Sequence, residues 1–165
     1  MGIYLLNDEI KIYDVDYSYR RYLHSYDHRV NLKPNRRFMG VIVIVDTIHY
    51  LIPLTSRPYR NNGKRRNART TVEIKNESGE IIAALLVNNM IPVPANCYNL
   101  VDIPNDRDKD YLNSENIYLR KIQVKREIIR KVKSVRDSVL VHHDEFMIGF
   151  CCDFKLLEEK CLEWN

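Results

Sequence analysis

The stretch from Phe38 to Leu54 leaves this chain the least freedom. Phe38 to Val45 reads FMGVIVIV, Asp46-Thr47 interrupts it, and Ile48 to Leu54 resumes as IHYLIPL. β-Branched residues at this density are stiff at χ1 and pack well on a pleated surface, so the run predicts two extended segments joined as a buried hairpin. Pro53 cannot donate to a ladder and marks a strand end or an edge. Thr55 and Ser56 then emerge just beyond the strand. Further along, Thr70 to Lys75 and Ile81 to Val87 form a second hairpin around Glu77-Ser78-Gly79, and a short strand follows near Met90-Ile91-Pro92-Val93. Together they predict a small antiparallel, barrel-like sheet.

Helices accompany it. Asp16 stands as a plausible N-cap ahead of Tyr19, Tyr22, Leu23 and Tyr26, whose spacing is that of a short amphipathic helix. From Ser114, the residues Tyr118, Ile122, Ile129, Val132, Val135 and Val139 share one helical face. Arg120, Lys121, Lys125, Arg126, Arg130, Lys133 and Arg136 cover much of the remainder, which predicts one long amphipathic helix in the C-terminal half. A last helix starts near Asp153 and carries Phe154, Leu157, Cys161 and Trp164, with Glu158, Glu159 and Glu163 exposed. No repeat, low-complexity tract or linker divides the 165 residues, and 45% hydrophobic content suffices for a real core, so residues 1–165 are expected to form a single domain.

No stretch approaches the roughly 18 apolar residues needed to span a bilayer. The start, Met1-Gly2-Ile3-Tyr4-Leu5-Leu6, has no basic n-region or cleavage site, and Leu6 stands where a myristoylation signal wants Ser or Thr. A cytoplasmic protein without a membrane partner is expected. Cys97, Cys151, Cys152 and Cys161 show no C-x-x-C spacing, and the vicinal pair cannot easily bridge to itself, so they read as reduced thiols.

Charge is split unevenly. Between Asp27 and Glu73 stand ten basic residues (Arg29, Lys33, Arg36, Arg37, Arg57, Arg60, Lys64, Arg65, Arg66 and Arg69) and one acidic residue, Asp46, while the rest of the chain is net −5. Six of the ten crowd the loop 57–69, interleaved with Tyr59, Asn61, Asn62 and Asn67. They would repel one another unless an anion compensates, which points to a polyanion and, most simply, a nucleic acid. A Thr-Ser pair after a strand more often caps a turn than performs chemistry. His142 and His143 diverge, and His24 and His28, though on one face, lack the intervening Glu of a zinc-protease helix, so no metal or other cofactor is expected. His49 reads as a structural ring within its strand. Of the eight tyrosines in the first 60 residues, most should be core, although any exposed ring could stack a base.

The residues also carry a resemblance. Arg36-Arg37-Phe38-Met39-Gly40-Val41, Tyr50-Leu51-Ile52-Pro53-Leu54-Thr55-Ser56, Asn61-Asn62, Met90-Ile91-Pro92 and Cys152-Asp153-Phe154-Lys155-Leu156-Leu157-Glu158-Glu159-Lys160 resemble, in order, motifs of the ToxN/AbiQ toxins of type III toxin-antitoxin systems. That resemblance implies an α+β fold with a twisted antiparallel SH3-like barrel sheet, related to the Kid/MazF toxins and packed by helices. It implies an endoribonuclease used in phage defence or locus maintenance. Its partners would be a repeated RNA pseudoknot antitoxin in a protein-RNA oligomeric complex, with substrate mRNA and antitoxin precursor RNA. Thr55 and Ser56 match the family's active-site hydroxyls; Arg36 stands where a catalytic lysine is expected, with Lys33 as the nearby alternative. A second cation after the Thr-Ser pair falls on Arg57 when Asn61-Asn62 is aligned, and on Tyr59 when Pro58 is. The active-site tyrosine expected before Arg36 falls near Leu32, leaving that role empty or filled by Tyr26 or another residue.

Metal-independent cleavage requires deprotonation of a 2′-hydroxyl, stabilisation of the phosphorane and protonation of the 5′-oxygen, giving a 2′,3′-cyclic phosphate and a 5′-hydroxyl. Arginines and hydroxyl donors suit the middle task. Lys33, with a pKa lowered by neighbouring cations, and His28 or His49 are the candidates for proton transfer. RNA binding is expected from Arg29, Arg37, Tyr59, Arg60, Asn61, Asn62, Lys64, Arg65, Arg66 and Arg69. The competing reading is a non-catalytic RNA-binding module in which Ser56 only caps a turn.

Overall fold

A computed structural model describes residues 2–5, 10–32, 39–45 and 47–164, with the backbone alone for 39–44. Eight strands are present among these residues: β1 (Ile3–Leu5), β2 (Tyr13–Val15), β3 (Met39–Val45), β4 (Ile48–Thr55), β5 (Thr71–Lys75), β6 (Ile81–Leu86), β7 (Ile91–Pro92) and β8 (Tyr98–Leu100). Five α-helices accompany them: α1 (Tyr17–His24), α2 (Lys109–Leu119), α3 (Ile122–Leu140), α4 (Glu145–Phe150) and α5 (Phe154–Glu163). Every strand pairing is antiparallel. The order is β5-β6-β4-β3-β2-β8, with β1 beside β3 and β7 beside β4. Among the described residues no pairing joins β5 to β8, so the sheet, antiparallel as expected, is an open path and not a closed barrel.

Both hairpins occur where the β-branched runs place them. β3 and β4 pair from Gly40↔Pro53 to Val45↔Ile48, and β5 pairs β6 around a turn in which Gly79 adopts φ +83°, open to glycine without strain. Pro53 does not end its strand, contrary to the sequence expectation. On the side away from β3, Tyr50 and Leu51 pair with β7, whereas Leu54 and Thr55 pair with β6. Pro53 falls between those two partners, where no ladder bond is needed from it. β4 is thereby central, and Tyr50, Leu51, Ile52, Leu54 and Thr55 are all buried.

The expected single long helix is two. α2 ends at Leu119 and Lys121 is extended (φ −67°, ψ 135°) before α3 begins. The cause is geometric. α2 buries Leu112, Glu115 and Leu119, and α3 buries Val124, Ile128, Val132, Val135 and Val139. At about 100° per residue, Leu119 and Ile128 on one continuous helix would point to opposite sides; the extended residue resets the phase. Ile122, assigned to the buried face from sequence, is 56% exposed, and Ile129 is only partly buried. α3 packs on β1 and β5 and on α4 and α5.

α1 forms as expected, although Asp16 caps it without a side-chain hydrogen bond, its N–H donating instead to Cys97 O at 2.8 Å. Only Tyr19 and Tyr50 of the eight early tyrosines are fully buried, whereas Tyr4, Tyr17, Tyr26 and Tyr59 are exposed; on α1 the split between Tyr19 and Tyr17 follows from the helix turning one face to the core. Tyr19 donates to Pro92 O at 2.6 Å and packs with Tyr22 against Trp164. α5 starts where Asp153 accepts a bond from Leu156 N, as its sequence suggests. All four cysteines are free, and burial pushes the Cys151 thiol up to about 11 and raises Cys152 as well. No helix among the described residues is long and apolar enough to cross a membrane.

Candidate functional site

The central strand delivers the two hydroxyls to different environments. Thr55 is 6% exposed, and its Oγ1 accepts a hydrogen bond from the Arg57 N–H at 3.1 Å. This closes a small side-chain-to-backbone turn. Ser56 and Arg57, on the outside of that turn, are exposed. The turn-capping work is therefore done by Thr55, and the Ser56 hydroxyl is left facing solvent at the head of the basic loop.

The loop 57–69 is built by its asparagines and Gly63 as much as by its cations. Tyr59 and Arg65 form an antiparallel bridge, Arg60 N donates to Lys64 O at 2.8 Å, and Gly63 takes φ +80° at the tip. Asn62 Oδ1 accepts from Lys64 N at 3.0 Å and Asn67 Oδ1 from Arg69 N at 2.8 Å, two local turns of the kind Asn favours. Arg66 Nε bonds the carbonyl of Arg57 at 3.0 Å and so ties the far limb to the Ser56 turn.

The cations are not equivalent, which sequence alone could not reveal. Arg65 makes a two-bond ion pair with Glu73. Arg69 lies 3.6 Å from Asp144 and bonds Ser138 Oγ at 3.4 Å. Arg29 bonds Asp27 at 2.9 Å and the carbonyls of Ile148 and Gly149 at 2.7 and 3.3 Å, near the C-terminal end of α4 where a cation is favoured. Part of the mutual repulsion expected in this segment is thus compensated inside the protein. Arg57, Arg60 and Lys64 are exposed, without a charged partner among the described residues. Asn61, Asn62 and Tyr59 are exposed beside them. Lys33, Arg36 and Arg37 lie outside the described residues.

Asp27 is the hub behind this arrangement. Its carboxylate, 6% exposed, accepts from Arg29 Nε and N and from Asp153 N at 2.7 Å. Burial alone would raise its pKa, but the bonds from Arg29 and Asp153 outweigh it and hold the group below the ordinary carboxylate value. The exit of α1, the end of α4 and the start of α5 are thereby fastened together.

The histidines weighed for proton transfer differ in what they touch. His49 shares a 2.8 Å bond with Tyr98 OH near the opposite end of β4, seven residues and about 20 Å of strand from Ser56. This removes it as a proton-transfer candidate. His24 Nδ1 meets Val30 O at 2.8 Å, and His28 is exposed with its Nδ1 3.4 Å from His24 Nε2. Among the described residues no three His, Cys, Asp or Glu side chains gather so as to hold a metal ion.

Sequence reasoning missed α4. Its signals are Asp144, whose side chain accepts from Met147 N as an N-cap, and Phe146 and Phe150, which are four residues apart and both exposed.

The family model described as Toxin ToxN, type III toxin-antitoxin system, matches residues 11–162 of the chain. Endoribonuclease ToxN of Bacillus thuringiensis subsp. kurstaki is 32% identical over 171 residues, covering 96% of this chain and 86% of that protein. Endoribonuclease AbiQ of Lactococcus lactis subsp. lactis is 28% identical, covering 94% and 90%. The solved structure of AbiQ, a lactococcal anti-phage endoribonuclease, gives a TM-score of 0.80 over 93% of this chain and 96% of that one, at 24% identity, a likeness of fold. A solved structure concerning selective toxin inhibition by a non-coding RNA pseudoknot in bacterial type III systems gives a TM-score of 0.84 at 31% identity, covering 94% and 98%.

Proposed function

The chain belongs to the ToxN family of type III toxin-antitoxin toxins, and on that premise we propose that it is an endoribonuclease toxin, held inactive by direct binding of an RNA pseudoknot antitoxin and serving phage defence. The toxin acts in the cytoplasm as one domain. Relation of its sheet to the SH3-like barrel of the Kid/MazF toxins belongs to the same proposal. The observation that carries the catalytic reading is the division of labour at the end of β4: Thr55 holds the turn, so that Ser56 and Arg57 are presented outward at the root of a cationic loop.

Cleavage proceeds by attack of a 2′-hydroxyl on the adjacent phosphate. Arg57 places a permanent positive charge where the phosphorane develops, and Ser56 donates a hydrogen bond that orients a phosphate oxygen; preorganised donors of this kind contribute most where charge appears. Arg36, matching the family's catalytic lysine, supplies the other cation. β3, which follows Arg36 in the sequence, pairs with β4 from Gly40↔Pro53 onward. Lys33 is the proton-transfer candidate. No step requires a metal ion. Exposed Arg60, Lys64, Asn61 and Asn62 bind RNA backbone around the site, with Arg37 and Tyr59 joining them.

Expression of the free protein in a bacterium tests the reading. Growth arrest with new RNA ends is expected, relieved by Ser56→Ala although the variant remains folded and RNA-binding. Cleavage by the purified protein should persist in excess EDTA and leave ends that a 5′-phosphate-dependent adaptor ligation does not capture. RNA binding without cleavage, unchanged by Ser56→Ala, would make the chain a binding module instead.

A further inference from the structure

Phe146 and Phe150 are 57% and 38% exposed on α4, their rings stacked at 5.5 Å between centroids and 18° between planes. They border a cavity of about 480 Å³ that Arg60, Arg66, Asn88 and Asn89 also line. Its size suits a small-molecule fragment.

The walls are held in place from outside the cavity. Arg69 reaches the N-cap of α4 at Asp144, and Arg29 holds the carbonyls of Ile148 and Gly149. Asn88 donates to Asn89 Oδ1 at 3.1 Å, Asn89 to Arg29 O at 3.0 Å, and Arg66 Nε to Arg57 O at 3.0 Å. Two cations of the basic segment thus serve to fix an aromatic helix beside the remaining ones.

An aromatic platform, guanidinium groups and amides are what an unpaired nucleotide uses: stacking, phosphate pairing and hydrogen bonds to the base edge. A purely apolar occupant would make no use of the guanidinium groups and amides in the wall, and a simple anion would leave the rings unused.

We propose that this cavity receives one unpaired nucleotide of an RNA strand, its base on the Phe146-Phe150 pair and its phosphate on Arg60 and Arg66. The proposal rests on the ribonuclease reading and extends it, because Arg66 also bonds the carbonyl of Arg57, one residue from Ser56. A base held here lies close to the cleaved linkage in the strand and helps select which linkage is cut.

Phe150→Trp places a reporter in the cavity, and the unaltered protein, with Trp164 as its one tryptophan, is the control. The probe is a mixed-sequence single-stranded 2′-O-methyl RNA of about twelve nucleotides, which cannot be cut by 2′-hydroxyl attack, with binding followed separately by filter retention. Quenching of the Phe150→Trp emission beyond that of the control is expected at RNA saturation. The double variant Phe146→Ala, Phe150→Ala should melt as the wild type and bind the probe roughly 5- to 100-fold more weakly, the scale of removing one base-aromatic stack. On natural RNA it should raise KM more than it lowers kcat and redistribute the cleavage sites. Saturation without added quenching, together with wild-type affinity of the double variant, overturns the cavity assignment and leaves the ribonuclease reading standing. A folded wild-type protein that neither binds nor cuts RNA removes both.

Discussion

Arg65 and Glu73 meet through two hydrogen bonds, the guanidinium Nε and Nη2 each taking one carboxylate oxygen, and so strap the basic loop to β5. Lys64, one residue earlier, is exposed and carries no such strap. Neighbouring cations therefore differ in what they have left to offer a phosphate.

That difference is measurable in the salt dependence of antitoxin binding. Lys64→Ala and Arg60→Ala should each weaken binding and reduce the slope of log K against log salt by about one unit for each phosphate no longer neutralised. Arg65→Ala should change the slope less. A slope change for Arg65→Ala as large as that for Lys64→Ala would mean that the guanidinium leaves Glu73 for RNA.

The three proposed participants in catalysis should behave alike. Ser56→Ala, Arg57→Ala and Arg36→Ala should each lower the cleavage rate by roughly 10²-fold or more, the scale of losing one preorganised donor, while melting and antitoxin binding persist. Thr55→Ser should retain activity and Thr55→Ala lose it, because the hydroxyl that accepts from Arg57 N is what sets the turn. If Arg57→Ala cuts at the wild-type rate and Tyr59→Phe does not, the second catalytic position is Tyr59.

Helix register gives a stability test. Ile128 is fully buried, so Ile128→Ala should cost about 2–5 kcal/mol of folding free energy. Ile122→Ala, at a 56% exposed position, should stay within roughly 0.5 kcal/mol of wild type. Chemical denaturation of the two variants side by side decides it; the opposite ranking would restore the single-helix reading.

What the sequence disclosed and what it hid follow from the range of the forces involved. Local stiffness of the β-branched runs placed both hairpins, and the Asp153 cap placed α5, since those signals lie within a few residues of their effects. The break at Lys121 has no glycine or proline to announce it; it is dictated by where α2 and α3 must bury their stripes, although the opposed phases of Leu119 and Ile128 were there to be counted. Thr55 and Ser56 were visible as a pair, but not which would be buried. Likewise Arg29, Arg65 and Arg69 look the same as Arg60 and Lys64 in sequence, because Asp27, Glu73 and Asp144 become partners only through folding.

Glu115 gives the folded state a pH dependence. It is 1% exposed, and burial raises its pKa from the usual 4.5 to about 8, so it is neutral in the folded protein at pH 7 and ionised in the unfolded chain. A raised folded pKa means that this contribution is fully present below about 4.5 and is lost as pH rises through about 8. Glu115→Gln should flatten that decline, with a gain over wild type at pH 8 on the order of a few kcal/mol. Denaturation midpoints for both proteins between pH 4 and pH 9 are the check, and parallel curves would contradict it.

The extended residue between α2 and α3 also separates two parts of the chain in their tolerance of length change. A residue inserted within α3 would rotate everything beyond it by about 100° and turn Val132, Val135 and Val139 off the core. One inserted beside Lys121 meets a backbone already outside helical geometry, which can absorb the extra length without passing the rotation on. Homologous chains could therefore drift in length at this joint while keeping the buried face of α3 in phase with the core it packs on.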